Sequence, residues 1–263
     1  MAHLSGQSDS YDEYNDDLLA AIYDADNPDG RDHDYYRALA TSLDATRITD
    51  LGCGTGILTV TLAAPGRTVI GIDPAAAMLA RASSRPKGAS VEWRLGTSNL
   101  IDTGENDLAI MTGNVAMHIL GDDWHATLKD IARGLKPGGV LAFETRNPQA
   151  RAWTKWNDTG SERSTVVGRL WETTTTTAPN PDGVVTMHCH NEFIDADHIV
   201  DVEQRLQFRT LDQITADLNH AGLMVTNVWR DWNGARFTDS ATELIMVVEA
   251  SPRTYAAEHN QGM

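Results

Sequence analysis

Ile48-Thr49-Asp50-Leu51-Gly52-Cys53-Gly54-Thr55-Gly56 is the stretch on which the fold turns. An apolar run ends at Leu51, glycines follow at every second position, and a helical pattern begins just beyond. Glycine is needed where backbone must take positive φ or come close to a ligand. A strand that passes into a helix through such a loop sets the helix's free N–H groups against that ligand. Seventeen residues beyond Gly56 a second apolar run ends in Gly71-Ile72-Asp73-Pro74. A carboxylate at that strand end can accept both hydroxyls of a ribose, as in other doubly wound nucleotide folds. Together the two segments specify a nucleoside site at the carboxyl edge of a sheet.

Outward from this stretch, strand and helix alternate. Strands are expected over 48–51, 68–72, 90–93, 107–111 and 140–144, with helices over 57–64, 74–83 and 124–135. Such alternation argues for a parallel sheet covered on both faces and wound right-handed. Residues 165–209 differ, with β-rich runs at 165–167, 173–177, 184–193 and 199–208 and a turn at 179–183, and read as an antiparallel insertion. A helix over 211–221 stops at Gly222, and runs at 223–229 and 243–248 bring the main sheet to seven strands. The expected fold class is therefore α/β, doubly wound and mostly parallel, with an antiparallel β insertion and an N-terminal helical lid. The expected divisions are a lid over 1–45, a binding core over 46–150, an insertion covering the substrate site over 151–210, completion of the sheet over 211–250, and a flexible tail over 251–263.

The chain has 21 Lys and Arg against 37 Asp and Glu, a formal charge of −16. That field opposes phosphodiester backbones, whose binding runs on basic side chains, so no nucleic-acid partner is expected. Much of the acid lies in 9–34, where Arg31 is the one basic residue and Tyr11, Tyr14, Leu18, Leu19, Ile22 and Tyr23 recur at helical spacing. This segment reads as a solvated acidic face or as a lid that attracts a cationic substrate. Only Cys53 and Cys189 are present, far apart, which fits a reducing compartment and no disulfide scaffold. No apolar run approaches a bilayer span, and Met1 to Ser10 lack a basic region followed by an apolar core. A cytoplasmic protein with no membrane partner is expected; oligomeric state is not legible.

The glycine triplet, the acid-ended second strand and Leu135-Lys136-Pro137-Gly138-Gly139-Val140-Leu141 occur in order and at sensible distances. That order resembles class I S-adenosylmethionine-dependent methyltransferases, over roughly residues 11–249. Residues Asp50 to Gly56 match the family's first motif, Gly71 to Pro74 its ribose-binding acid, and the Lys-Pro-Gly-Gly turn its entry to the fifth strand. The resemblance implies a Rossmann-like methyltransferase fold and S-adenosyl-L-methionine as cofactor. It puts Gly52 and Gly54 beside the methionine part, Asp73 on the ribose, Met78 near the adenine and Asn114 near the methionine end. Family members often carry an acid after the third strand's glycine for the adenine amino group. This chain has Gly96-Thr97-Ser98-Asn99 there, so Thr97, Ser98 or backbone groups take that place.

The implied reaction moves a methyl group to nitrogen, oxygen or carbon of a small organic molecule, mainly through proximity and desolvation. A base is needed only for a protonated acceptor. His118 and Glu144, near the carboxyl ends of the fourth and fifth strands, are the candidate catalytic groups, with Arg146 and Asn147 in the substrate pocket. Asn147 before Pro148 also suits a plain turn, and His118 a loop histidine. In His188-Cys189-His190 the two histidines share one strand face, without the three or four converging ligands a metal needs. No metal is expected; His188 and His190, with Trp153 and Trp171, are expected to wall the substrate pocket. The rivals are a cofactor-binding protein without transferase activity and a nicotinamide dehydrogenase, although the glycines here fall as G-x-G-x-G and not G-x-G-x-x-G.

Overall fold

The computed structural model describes residues 12–253. The first eleven residues and most of the expected tail lie outside the described residues. A 3-10 turn (Asp12–Asn15) leads into α1 (Asp17–Asp26) and α2 (Arg31–Ser42). The alternating core comes next: β1 (Arg47–Leu51), α3 (Thr59–Leu62), β2 (Thr68–Asp73), α4 (Ala76–Ser84), β3 (Glu92–Leu95), β4 (Asn106–Met111), α5 (Val115–His118), α6 (Gly121–Gly134) and β5 (Leu135–Arg146). Beyond it lie β6 (Asp158–Thr165), β7 (Gly168–Thr176), β8 (Val184–Phe193) and β9 (His198–Gln207). Helix α7 (Leu211–His220), β10 (Leu223–Trp229) and β11 (Ile245–Pro252) close the chain.

The main sheet has seven strands in the order β10-β11-β5-β4-β1-β2-β3. From β3 to β5 all pairings are parallel, while β11 runs antiparallel to both β5 and β10. The order reverses beside β1, and a ligand crevice lies outside the carboxyl ends of the strands at such a point. The strands are apolar on both faces because helices cover both. On one side Ile70, Ile72, Met111 and Phe143 pack with Trp124, Leu128 and Ile131 of α6 and Ile214 and Leu218 of α7. On the other, Ile48, Leu108 and Ile110 pack with Tyr36 and Ala40 of α2 and with Leu58 and Leu62.

The elements depart from the expected bounds for local reasons. Helix α3 is a single turn, because Ala63 is already extended (φ −67°, ψ 124°) and Pro65 disfavours helix in the residue before it. The strand expected from Ser90 starts at Glu92, since Gly88–Ser90 form a 3-10 turn. Strand β5 begins before its Pro-Gly-Gly turn, because Leu135 pairs with Asn106 across a register shift.

The insertion forms a separate antiparallel sheet, β6-β7-β8-β9. Its inner face is anchored at both ends: Val185 and Leu206 pack on Met117 and Trp153, and Leu170 and Phe193 pack on Ile22 of α1. The acidic N-terminal stretch is not a free solvated face. Asp16 caps α1, accepting from the Leu18 and Leu19 N–H groups at 2.9 and 3.0 Å, and pairs with His198 at 2.9 Å. Asp24 accepts from Thr55 Oγ1 at 2.5 Å and pairs with Arg85, whereas Asp26 pairs with Arg163 of β6 at 2.8 Å. Helix α1 is therefore a strap joining the core to the insertion. Exposed pairs of this kind are worth well under about 1 kcal/mol each, so the strap's apolar contacts carry most of its docking. No helix among the described residues is long and apolar enough to cross a membrane.

Candidate functional site

The loop from β1 into α3 is shaped by its neighbours. Gly52 has φ +73°, and a Cβ there would meet the Val115 side chain at 2.4 Å. Gly54 has φ +54°, yet a Cβ there would meet only the Tyr23 ring, at 3.9 Å. Gly52 is thus required by packing, whereas Gly54 leaves open space that a ligand can enter. Asp73, at the end of β2, accepts from Gly54 N at 2.7 Å and from Ala75 N at 2.8 Å, tying the two loops together. Burial raises its pKa, opposed by those two N–H groups. Asp50 lies beneath the loop with Oδ2 on Thr59 Oγ1 at 2.7 Å, while its buried Oδ1 has no partner among the described residues. Burial pushes Asp50 up to about 7, with Asp73 and Glu144 adding to the rise against the Thr59 bond.

A cavity of about 640 Å³ opens on this floor. Gly52, Gly54, Asp73 and Met78 line it, as do Thr97 and Ser98 after β3. Its opposite side is formed by Tyr14 and Tyr23 from the strap, by Gly113, Val115 and His118 after β4, and by Asp123, Thr127 and Asp130 of α6. Arg205 of β9 reaches the rim. Of the expected cofactor residues, only Asn114 is not on the wall, although both its neighbours are. Asn114 takes a left-handed conformation (φ 63°), which asparagine tolerates, and its N–H donates to Glu144 Oε1 at 2.7 Å.

His118 lies on the wall with no hydrogen-bond partner among the described residues; the Tyr14 ring stands edge-on at 5.9 Å. Desolvation lowers its pKa to about 4, so the imidazole is neutral at physiological pH. Tyr23 is driven up to about 12, mainly by burial and then by Asp73 and other carboxylates. The floor thus carries a negative field, a neutral imidazole and a neutral phenol.

The other expected site residues lie elsewhere. Glu144 is 3% exposed beneath the wall, accepting from Tyr36 Oη and Asn114 N; burial raises it to about 7. Its place is to hold the 113–118 loop and not to touch a substrate. Arg146 ends β5 opposite Ile245, with its pKa lowered by burial against the pull of Glu144. Asn147 is a buried turn residue, accepting from Gln149 N at 3.0 Å and donating to Ser240 O at 3.0 Å. Trp153 is core, 4.7 Å from the Phe208 ring. Trp171 lies against the Gly160 backbone on the outer side of the insertion. His188 and His190 point to that same outer side, facing Glu203 at 3.6 Å and Asp201 at 2.6 Å. The expected pocket wall of Trp153, Trp171, His188 and His190 is therefore corrected: the inner face of the sheet is spent on Met117 and Ile22 instead.

Reasoning from sequence missed Tyr14 and Tyr23 as wall residues, and Asp123, Thr127 and Asp130 altogether. The α6 signal was present. Asp123, Thr127 and Asp130 recur at helical spacing in the row beside Trp124, Leu128 and Ile131.

Residues 48–139 match the family model described as a methyltransferase domain. Over 113 residues the chain is 34% identical to a ubiquinone biosynthesis O-methyltransferase of Agrobacterium fabrum, a match covering 42% of this chain and 44% of that one. The chain therefore spans less than half the length of the curated relatives it matches. The CcbJ methyltransferase of Streptomyces caelestis superposes with a TM-score of 0.71 at 22% identity, over 91% of this chain and 98% of that one. An amino pentose methyltransferase of Micromonospora echinaspora, solved with S-adenosylmethionine bound, superposes with a TM-score of 0.59 at 20% identity, over 87% and 96%. Residues 48–139 thus carry the match to a methyltransferase domain, and the fold of the chain is shared almost end to end with solved methyltransferases.

Proposed function

We propose that the chain transfers a methyl group from S-adenosylmethionine to a nitrogen, oxygen or carbon of a small organic molecule in the cytoplasm. The observation that carries this reading is the cavity itself, which joins the Gly54–Asp73 floor to His118, Tyr14 and Tyr23 in one space. The residues present fit the cofactor. Gly54 leaves its Cβ direction open, and Asp73 is placed on the wall for ribose hydroxyls. Carboxylates at the floor also favour a ligand of positive charge.

The bound cofactor supplies an electrophilic methyl group on a sulfonium. The chain's part is to position the acceptor and exclude water, with the strap and its two tyrosines as roof. A neutral His118 can take a proton from a phenol or an acidic carbon without first losing one. Acceptor choice falls to Tyr14, Tyr23, His118 and Arg205. The names of the matched proteins, an O-methyltransferase of ubiquinone biosynthesis and an amino pentose methyltransferase, favour a small organic acceptor over a macromolecule. The test is to incubate the protein and isotopically labelled cofactor with fractionated metabolite extract and identify labelled product by mass spectrometry. Label transferred only when the protein is present is the expected result. Tight binding of S-adenosylhomocysteine with no transfer to any fraction would make the chain a cofactor-binding protein instead.

A further inference from the structure

We propose that the acceptor is a small organic acid, whose carboxylate or phosphate is held by Arg205 at the cavity rim while its reacting atom points inward past His118. This rests on the reading that the cavity carries out methyl transfer. The wall is electrically lopsided. Asp73 lines it from β2, and Asp123 and Asp130 from α6, whereas Arg205 is its one cationic side chain among the described residues. His118 adds no charge, since desolvation keeps its imidazole neutral.

Strand β9 is the edge of the insertion sheet and is fixed at both ends. Asp16 of the strap holds His198 at its start, and Arg209, just beyond its end, donates to the Ala116 and Ile119 carbonyls around His118. Arg205 therefore stands between the strap and the His118 turn, and its exposed guanidinium makes no hydrogen bond or ion pair among the described residues. The other arginines of this sheet are satisfied: Arg163 pairs with Asp26 and Glu172, and Arg169 with Asp195. Glu203, two residues back along β9, turns to His188 instead of Arg205. The strap's carboxylates speak against a cationic acceptor, because Asp16, Asp24 and Asp26 are spent on His198, Arg85 and Arg163. A guanidinium offers a fork of N–H donors that matches carboxylate and phosphate oxygens. The carboxylates of the floor repel the same group, so the acid stays at the rim and the rest of the molecule turns inward.

The test uses the full chain, isotopically labelled S-adenosylmethionine and a metabolite extract divided by anion exchange into retained and unretained pools. Label should pass to the retained pool alone, and Arg205→Ala should cut that transfer about tenfold or more at limiting acceptor. Arg205→Lys keeps the charge but not the fork, and should recover part of the rate. Calorimetry should give both variants wild-type affinity for S-adenosylhomocysteine, which a misfolded protein would not show. Phosphatase treatment of the retained pool tells the two acids apart: transfer that vanishes identifies a phosphate, and transfer that survives a carboxylate. Labelled product from the unretained pool, or an Arg205→Ala enzyme as fast as wild type on the retained pool, overturns the proposal while leaving methyl transfer intact. Transfer to neither pool, with S-adenosylhomocysteine still bound, would overturn methyl transfer and the proposal together.

Discussion

Replacing His118 tests the chemistry of the cavity most directly. Desolvation alone lowers its pKa from 6.5 to about 4. Between those values the unfolded chain binds a proton that the folded chain does not. The stability that neutral His118 confers is therefore complete above pH 6.5 and lost as the pH falls toward 4. Moving from pH 7.5 to pH 5 should remove roughly 2 kcal/mol, approaching roughly 3 kcal/mol below pH 4. Other carboxylates titrate in the same range, so the comparison is with His118→Gln measured in parallel. Urea unfolding of both proteins at the two pH values should show wild type losing about 2 kcal/mol more than the variant. Equal losses would refute the claim that the imidazole is held in a dry wall. The same shift governs the rate. A His118 base with a pKa of about 4 leaves turnover flat above pH 5.5, although His118→Asn still costs about 10²–10⁴. An acidic limb near pH 7 that survives in His118→Asn would belong to the buried carboxyls of Asp50 and Glu144, acting through the loops they hold.

Asp73→Ala should weaken S-adenosylhomocysteine binding by roughly 1.5–3 kcal/mol, and equal affinity by calorimetry would remove Asp73 from the site. Gly54→Val should abolish binding, since its side chain enters the space above the loop at φ +54°; a normal dissociation constant would sink the assignment of that floor. Trp171→Ala and His190→Ala should leave acceptor kinetics at wild-type values, whereas Arg205→Ala should raise the acceptor KM with cofactor affinity unchanged; the reverse pattern would put the substrate on the insertion's outer face. Arg209 donates to the Ala116 and Ile119 carbonyls at 2.8 and 2.7 Å with its guanidinium 4.3 Å from the Trp124 ring centroid, so Arg209→Met should cost about 2–4 kcal/mol in urea unfolding. A loss under about 0.5 kcal/mol would mean that those carbonyls find other partners.

The parallel core was legible because each of its strands carries its own signal. An apolar run ending in Gly52 or in Asp73 marks both a strand and the loop leaving it. The floor of the site was readable for the same reason, since Gly52, Gly54 and Asp73 lie where the strands stop. The roof was not. Tyr14 and Tyr23 belong to a segment whose helical spacing says which side is apolar but not what that side meets. The same limit misplaced the insertion. Alternation along β8 puts His188 and His190 together, but only the docking of Val185 and Phe193 decides that their face is the outer one. Asp130 stayed hidden as a wall residue because its bond to Ser98 crosses a helix–loop contact that no local pattern announces.

The strap also sets an order of events during synthesis. Its partners in the insertion lie far downstream: Asp26 pairs with Arg163, 137 residues on, and Asp16 with His198, 182 residues on. At translation speeds of about 5–20 residues per second, α1 leaves the ribosome roughly 10–40 s before those partners exist. Through that interval β1 to β5 can assemble, but the strap's docking face, Leu18, Leu19 and Ile22, has no insertion to rest on. The acidic side chains around it keep the waiting segment hydrated and repel other nascent chains of the same charge. A chain interrupted before β9 would thus hold a nucleotide floor under a roof tied on its core side alone, through Asp24 with Thr55 and Arg85, able to meet the cofactor but less able to shut water out.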